Sequence, residues 1–179
     1  IPACCIWRCS NLGKCPRCQC LAASGVFPKK AKLDIEMVKR FHAGTALHRR
    51  IQDSLRDWCI SEILLGARPV GFEVPLYDLS MRLGGHVDAV LQVPGRHARG
   101  GLSARTTDPE HAPSPGIVVL EIKSASSWAL TSLRKGGIEK SYFYPQVVAY
   151  TMLAASRWES FLGTCVYVES KDDPGERDA

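Results

Sequence analysis

One apolar run, IVVLEIKSA from Ile117 to Ala125, carries a glutamate and a lysine inside it. Val118, Val119, Leu120 and Ile122 make it β-rich, so it reads as a strand. Side chains alternate along a strand, which puts Glu121 and Lys123 on one face, about 7 Å apart by the strand rise. Val118, Leu120 and Ile122 then face a core on the other side. An exposed, salt-bridged edge is the ordinary meaning of such a charged pair. The apolar flanks argue instead for a central, buried strand, and buried charges need a reason to be there. The spacing leaves room for a metal on the carboxylate and a water beside the ammonium.

HVDAVLQV, from His86 to Val93, is a second strand. Asp88 shares a face with His86 and Val90, and Val87, Ala89 and Leu91 share the other. Gly84-Gly85, after LSMRL, predicts a hairpin turn back to a strand in FEVPLYDLSM. Three sequential strands then bring Asp88 and Glu121 onto neighbours that face one cavity. An aspartate between such apolar flanks is costly to bury unpaired, which favours a metal or cation partner over a solvated position. His86 does not read as a ligand. Glu73 reads as a solvated strand residue rather than an auxiliary carboxylate.

Two helices flank these strands. The first is predicted from about Asp34 to Leu65, with Leu47, Ile51, Leu55 and Trp58 as its buried stripe. Gly44, His48 and Gln52 form an adjacent stripe, and Gly44 leaves space for a ligand one turn before the imidazole. His48 alone would read as a polar residue at a helix boundary. With Gly44 before it and two carboxylates after it, metal ligation is the better reading. The second helix starts near Tyr144-Pro145, proline being tolerated in a first turn, and runs to about Ser156. Gln146 and Tyr150 are four apart and share a face. They offer an amide and a phenol for phosphate or base contacts, plain helix surface being the blander alternative.

Taken in order, a helix with G-x-x-x-H (Gly44, His48), a strand with G-x-x-D (Gly85, Asp88), a strand with E-x-K (Glu121, Lys123) and a helix with Q-x-x-x-Y (Gln146, Tyr150) resemble the RecB-type branch of the PD-(D/E)XK nuclease superfamily. That branch includes phage recombination exonucleases, RecB/AddB nuclease domains and CRISPR-adaptation exonucleases. The pattern spans roughly Ser10 to Val168. The resemblance implies a restriction-endonuclease-like α/β core. It implies Mg²⁺ or Mn²⁺ held by His48, Asp88, Glu121 and the backbone carbonyl of Ile122. It makes Asp88, Glu121 and Lys123 catalytic, Lys123 orienting or activating the attacking water and balancing charge in the transition state. Gln146 and Tyr150 would position DNA. The chemistry is coherent without the analogy: a bound cation lowers the pKa of water and polarises a phosphoryl oxygen. Oxygen ligands suit Mg²⁺, and an imidazole shifts preference toward Mn²⁺.

Six of the eight cysteines fall in the first twenty residues: Cys4, Cys5, Cys9, Cys15, Cys18 and Cys20. No apolar segment of signal-peptide type opens the chain, and the resembled nucleases are intracellular, so disulfides are the weaker use. Cys15 and Cys18 in CPRC, with Cys5 and Cys9, offer a permissive zinc set. SNLGKCPR is similar to the segment that carries the first cluster cysteine of the iron–sulfur nucleases, at Cys15. Those relatives place three more cysteines after the Q-x-x-x-Y helix, where this chain has only Cys165. The expectation is no metal at this segment, equal in weight to a local zinc and ahead of an iron–sulfur cluster. Cys59 and Cys165 are predicted to be isolated, buried thiols.

At 179 residues the chain suits one domain with a real core. The expected organisation is a cysteine-rich segment over residues 1–30, a nuclease core over 31–171 with a long loop at about 94–116, and a tail from 172. No segment reaches membrane-span length. Opening on Ile1, the chain reads as a fragment. The net charge is +5, with Lys29, Lys30, Lys32, Lys39, Arg40, Arg49 and Arg50 around the first helix and Arg134, Lys135 and Lys140 before the second. Such a rim would suit a nucleic-acid backbone, though by charge alone an ordinary solvated surface is the better reading. Arg96, Arg99 and Arg105 in the Pro94–Gly116 loop could guide DNA, with poor order expected without substrate.

The expected fold is a mixed sheet of four or five strands flanked by helices, with Asp88 and Glu121 meeting at one edge under His48. The expected activity is metal-dependent hydrolysis of DNA phosphodiesters, foremost as an exonuclease acting on single strands or duplex ends in recombination, repair or end processing. A structure-specific endonuclease is the rival among enzymes. A non-catalytic nucleic-acid-binding module with a cysteine-rich interaction segment is the rival outside them. The resemblance further implies a cytoplasmic setting in a bacterial or phage-infected cell, no membrane partner, and assembly into a homo-oligomer or a larger recombination complex. No Walker A sequence is present, so the chain carries no ATP motor of its own.

Overall fold

The structure is a computed structural model that describes residues 6–26, 34–57, 67–95 and 115–170. It is α/β, with a mixed five-stranded sheet and four α-helices among the described residues. In chain order these are β1 (Trp7–Arg8), α1 (Pro16–Ala23), α2 (Ile35–Asp57), β2 (Arg68–Asp78), β3 (Leu83–Val93), β4 (Gly116–Ala125), α3 (Ser127–Gly136), α4 (Tyr144–Arg157) and β5 (Phe161–Ser170), with single 3₁₀ turns at Cys9–Asn11 and Ile138–Lys140. No helix of the described residues is long and apolar enough to cross a membrane.

β3 is the hub of the sheet. One edge pairs along its length with β2, antiparallel. Its other edge is shared by short β1, parallel at Leu83 and Gly84, and by β4, antiparallel from Ala89↔Leu120 to Val93↔Gly116. β4 pairs with β5 in parallel, after a crossover through α3 and α4; parallel neighbours need such a connection. The three sequential antiparallel strands expected from the sequence are therefore β2, β3 and β4.

Both faces of the sheet are buried, each by one helix. α4 supplies Ala149, Tyr150, Leu153 and Ala154 to a cluster with Leu76, Val87, Val90, Ile117 and Val119. On the opposite face Ala89, Leu91, Leu120 and Ile122 pack with Ile51 and Leu55 of α2 and with Phe72. β4 is thus apolar on both faces, as a central strand must be, and Leu120 and Ile122 face the core expected for them. Leu47, Ile51 and Leu55 form the inner stripe of α2 as read from the sequence, while Trp58 and the predicted helical end through Leu65 lie outside the described residues.

The hairpin between β2 and β3 is not at Gly84-Gly85. Both glycines sit inside β3, and the turn spans Leu79–Arg82. Asp78 makes it: its Oδ1 accepts from the Met81 amide at 2.9 Å and from the Ser80 hydroxyl at 2.6 Å, a side-chain mimic of a backbone turn. Arg82 completes the reversal in the left-handed region, φ +52°. Gly85 serves a different end. A Cβ there would stand 2.6 Å from the Tyr150 ring, so its absence lets α4 seat that tyrosine directly on β3. Two further corrections are smaller. β2 begins at Arg68, ahead of FEVPLYDLSM, and stops at Asp78 where the turn takes over. Cys165, read as a buried thiol, is exposed on β5; Cys59 lies outside the described residues. So does the loop segment carrying Arg96, Arg99 and Arg105, together with Cys4, Cys5, Lys29, Lys30 and Lys32.

Candidate active site

The β3–β4 ladder ends at Ala89↔Leu120. Beyond that pair the strands diverge, and the next inward-facing amide of β4, that of Ile122, donates instead to Asp88 Oδ2 at 2.6 Å. The Asp88 side chain therefore fills the fork where the ladder stops. In a strand the N–H and C=O of one residue lie on the same edge, so the Ile122 carbonyl also faces this fork. A carboxylate and a backbone carbonyl are placed together by strand geometry alone.

α2 reaches the fork from one side. His48 Nδ1 lies 3.0 Å from Asp88 Oδ1, and this hydrogen bond raises the imidazole pKa above its usual value. One turn on, the buried Gln52 amide donates to the Asp88 carbonyl oxygen at 3.1 Å and to Glu73 Oε1 at 2.9 Å. Gly44, one turn before His48, brings α2 close to β4: a Cβ there would lie 3.7 Å from the Ser124 hydroxyl. His48, Asp88, Glu73, Ser124, Arg40 and Phe41 all line a cavity of about 610 Å³ at this point.

α4 reaches it from the other side. Glu121 is 2 % exposed and sits on the α4 face of β4 with Ile117 and Val119. Its Oε1 accepts from Lys123 Nζ at 2.5 Å and from Gln146 Nε2 at 2.7 Å. Its Oε2 is buried without any hydrogen-bond partner. Desolvation, and after it the negative charge of Asp88, raise the Glu121 pKa from 4.5 to about 7, with Lys123 opposing. Gln146 and Tyr150 are buried as well, which rules out plain helix surface for the pair. The Gln146 amide lies 3.3 Å from the Tyr150 oxygen, and the Tyr150 hydroxyl donates to the His86 carbonyl at 2.7 Å. Burial keeps that phenol protonated, with its pKa raised.

His48, Asp88 and the Ile122 amide thus form one hydrogen-bonded group, and Glu121, Lys123, Gln146 and Tyr150 form a second, the two joined through the β4 backbone. Asp88 opens to the cavity with His48, whereas Glu121 lies behind it on the α4 side. No group of three or more His, Cys, Asp and Glu side chains among the described residues is arranged to hold a metal ion. The donor set nevertheless suits a hard divalent cation. Two carboxylates repel one another across the fork, one carboxylate oxygen is buried with nothing to balance it, and a backbone carbonyl and an imidazole stand beside them. Oxygen donors with one imidazole are the ligands expected for Mg²⁺ or Mn²⁺.

Glu73 is exposed, as expected of a solvated strand residue, yet it is unusual in its backbone. It adopts φ +49° in the middle of β2, a conformation costly for any residue with a Cβ. On either side of it Phe72 packs toward α2 and Val74 toward α4, so the strand rolls over at this residue. Its carboxylate is turned onto Gln52 and the cavity wall. Hydrophobic pattern cannot show this, because a positive φ leaves no signature unless glycine or asparagine marks it. At the N-terminus, Cys9 is buried while Cys15, Cys18 and Cys20 are exposed. Cys15 occupies the N-cap position of α1, and a hydrogen bond from the Cys18 backbone amide to its sulfur is the leading cause lowering its thiol pKa.

No family model, curated protein or solved structure matches the chain.

Proposed function

We propose that this protein is a divalent-metal-dependent nuclease of the RecB-type PD-(D/E)XK superfamily, with a restriction-endonuclease-like core, that hydrolyses DNA phosphodiesters as an exonuclease in recombination, repair or end processing. The observation that carries the reading is the Glu121 carboxylate. It is buried across the strand fork from Asp88, with one oxygen clamped by Lys123 and Gln146 and the other unpartnered. A fold does not hold two carboxylates and leave a buried oxygen orphaned for stability's sake, since each such group costs free energy. A cation held by Asp88, Glu121, the Ile122 carbonyl and His48 would relieve both the repulsion and the orphan.

When bound, Mg²⁺ or Mn²⁺ supplies charge to the scissile phosphate and makes water a better nucleophile at neutral pH. The remaining work belongs to the chain. The Ile122 amide and His48 fix both oxygens of Asp88, so the carboxylate presents one geometry. Gln52 pins the Asp88 backbone. Lys123 keeps a cationic donor beside Glu121, where it can orient an attacking water and offset the charge that builds on the phosphoryl oxygens. Gln146 holds Glu121 from behind, and Tyr150 anchors Gln146 and β3 to one another. Gln146 and Tyr150 support the reading as positioning residues; DNA would meet the cavity side, where Arg40 and Phe41 stand.

The test is cleavage of end-labelled linear DNA and of closed circular single-stranded DNA with Mg²⁺ or Mn²⁺, beside Asp88→Ala and Lys123→Ala. Degradation of the linear substrate alone, lost by at least a hundred-fold in both variants, is expected from the known worth of a single electrostatic catalytic group, about 10²–10³. Cleavage of the circle would change the assignment to an endonuclease. DNA binding without cleavage would replace the enzyme with a binding module.

A further inference from the structure

A groove of about 1520 Å³ continues from the site cavity, sharing Arg40 and Ser124 with it. Two aromatic residues on its wall are almost fully in solvent: Trp128 is 79 % exposed and Tyr142 77 %. Leaving rings of this size in water is costly, as each could bury a large apolar area. The Tyr142 ring is propped at 85° against Phe143, centroids 5.5 Å apart, and Phe143 is itself buried. Trp128 stands in the first turn of α3, directly after the strand that carries Glu121 and Lys123.

The same wall carries Lys39, Arg40 and Lys140 against one acidic residue, Glu36, which is paired with Lys39 at 3.0 Å. Among the described residues neither Arg40 nor Lys140 has a carboxylate partner. Flat rings and unpaired cations lining one groove are complementary to a chain that alternates base faces with phosphates. A duplex hides its base faces in the stack; only an unpaired strand offers them along its length.

We propose that this groove binds a single-stranded polynucleotide, with bases stacked on Trp128 and Tyr142 and phosphates against Arg40 and Lys140, and delivers the strand to the fork. The inference rests on the nuclease reading for its purpose and adds to it the substrate form, an unpaired strand. The binding itself can be judged separately.

The experiment is fluorescence anisotropy of fluorescein-labelled oligothymidine and of a closed-end hairpin duplex, in EDTA so that nothing is cleaved. It compares the full chain with Trp128→Ala, Trp128→Phe and Tyr142→Ala. Both rings are exposed, so these variants should fold, which circular dichroism checks. Oligothymidine is expected to bind more tightly than the duplex. Each alanine variant should weaken it about ten-fold, the usual worth of one stacked base, and Trp128→Phe should keep most of the affinity. Three results would overturn the proposal: no oligothymidine binding by the unaltered chain, unchanged affinity in both alanine variants, or equal binding of the duplex. Loss of cleavage with this binding pattern intact would sink the nuclease reading and leave the groove assignment standing.

Discussion

At the scale of single residues, Glu121 decides the most. The folded protein holds the Glu121 proton more tightly than the unfolded chain does, with a pKa of about 7 against 4.5. The stability linked to this group is therefore complete below pH 4.5 and is lost as pH rises through 7. His48, also raised, runs in the same direction. At about 1.4 kcal/mol per pKa unit, the ionised Glu121 costs the cation-free protein on the order of 3 kcal/mol at pH 8. Glu121→Gln removes that charge while keeping the shape. In urea unfolding with EDTA, the variant should be more stable than the parent at pH 8, with a flatter dependence between pH 5 and 8. An unchanged pH profile would mean that folding does not shift the Glu121 pKa. Much of this site was legible in sequence because its chemistry sits on strands and helices with clear periods. The alternation that placed Glu121 beside Lys123, and the four-residue step joining Gln146 to Tyr150, are simple geometry. What alternation could not show is that Asp88 would lie in the plane of a forking ladder, or that Glu73 would take a left-handed backbone and join it.

At the scale of elements, the contact between α4 and β3 holds the two halves of the site in register. It depends on Gly85, which lets the Tyr150 ring lie where a side chain would otherwise stand and keeps its hydroxyl on the His86 carbonyl. Gly85→Ala would push a methyl group to within 2.6 Å of that ring. Overpacking of this kind costs about 1–3 kcal/mol, and a lost hydrogen bond to a buried carbonyl adds to it. Chemical denaturation should report a loss in that range, larger than that of Gly163→Ala, where a Cβ meets nothing within 4 Å. Equal losses would show that α4 does not bear on β3 as described. The G-x-x-D glycine is visible in sequence, but Gly-Gly before an apolar strand is the usual hairpin signal and points to a turn instead. Helix α3 goes beyond the two helices expected from the sequence; Ser126 caps it and Gly137 ends it with φ +76°.

At the scale of the molecule, the sheet is a frame that brings one helix to each face of a single fork. α2 presents His48 and Gln52 to Asp88 and α4 presents Gln146 to Glu121, so the pair of carboxylates has its neighbours only with both layers in place. The mixed, helix-covered sheet followed from three apolar strands and two amphipathic helices. The parallel β5 and the small β1 pairing depend on long-range contacts that local pattern does not encode. The proposed chemistry requires the fork to take up a divalent cation. The most direct measurement is a calorimetric titration of Mn²⁺ at pH 8 into the full chain, beside Asp88→Ala and Glu121→Gln. Saturable binding by the unaltered chain, weakened at least ten-fold in both variants, is the expected result, with a matching rise in melting temperature by mass action. Equal binding by all three proteins, or none by the unaltered chain, would contradict the assignment of Asp88 and Glu121 as a metal site.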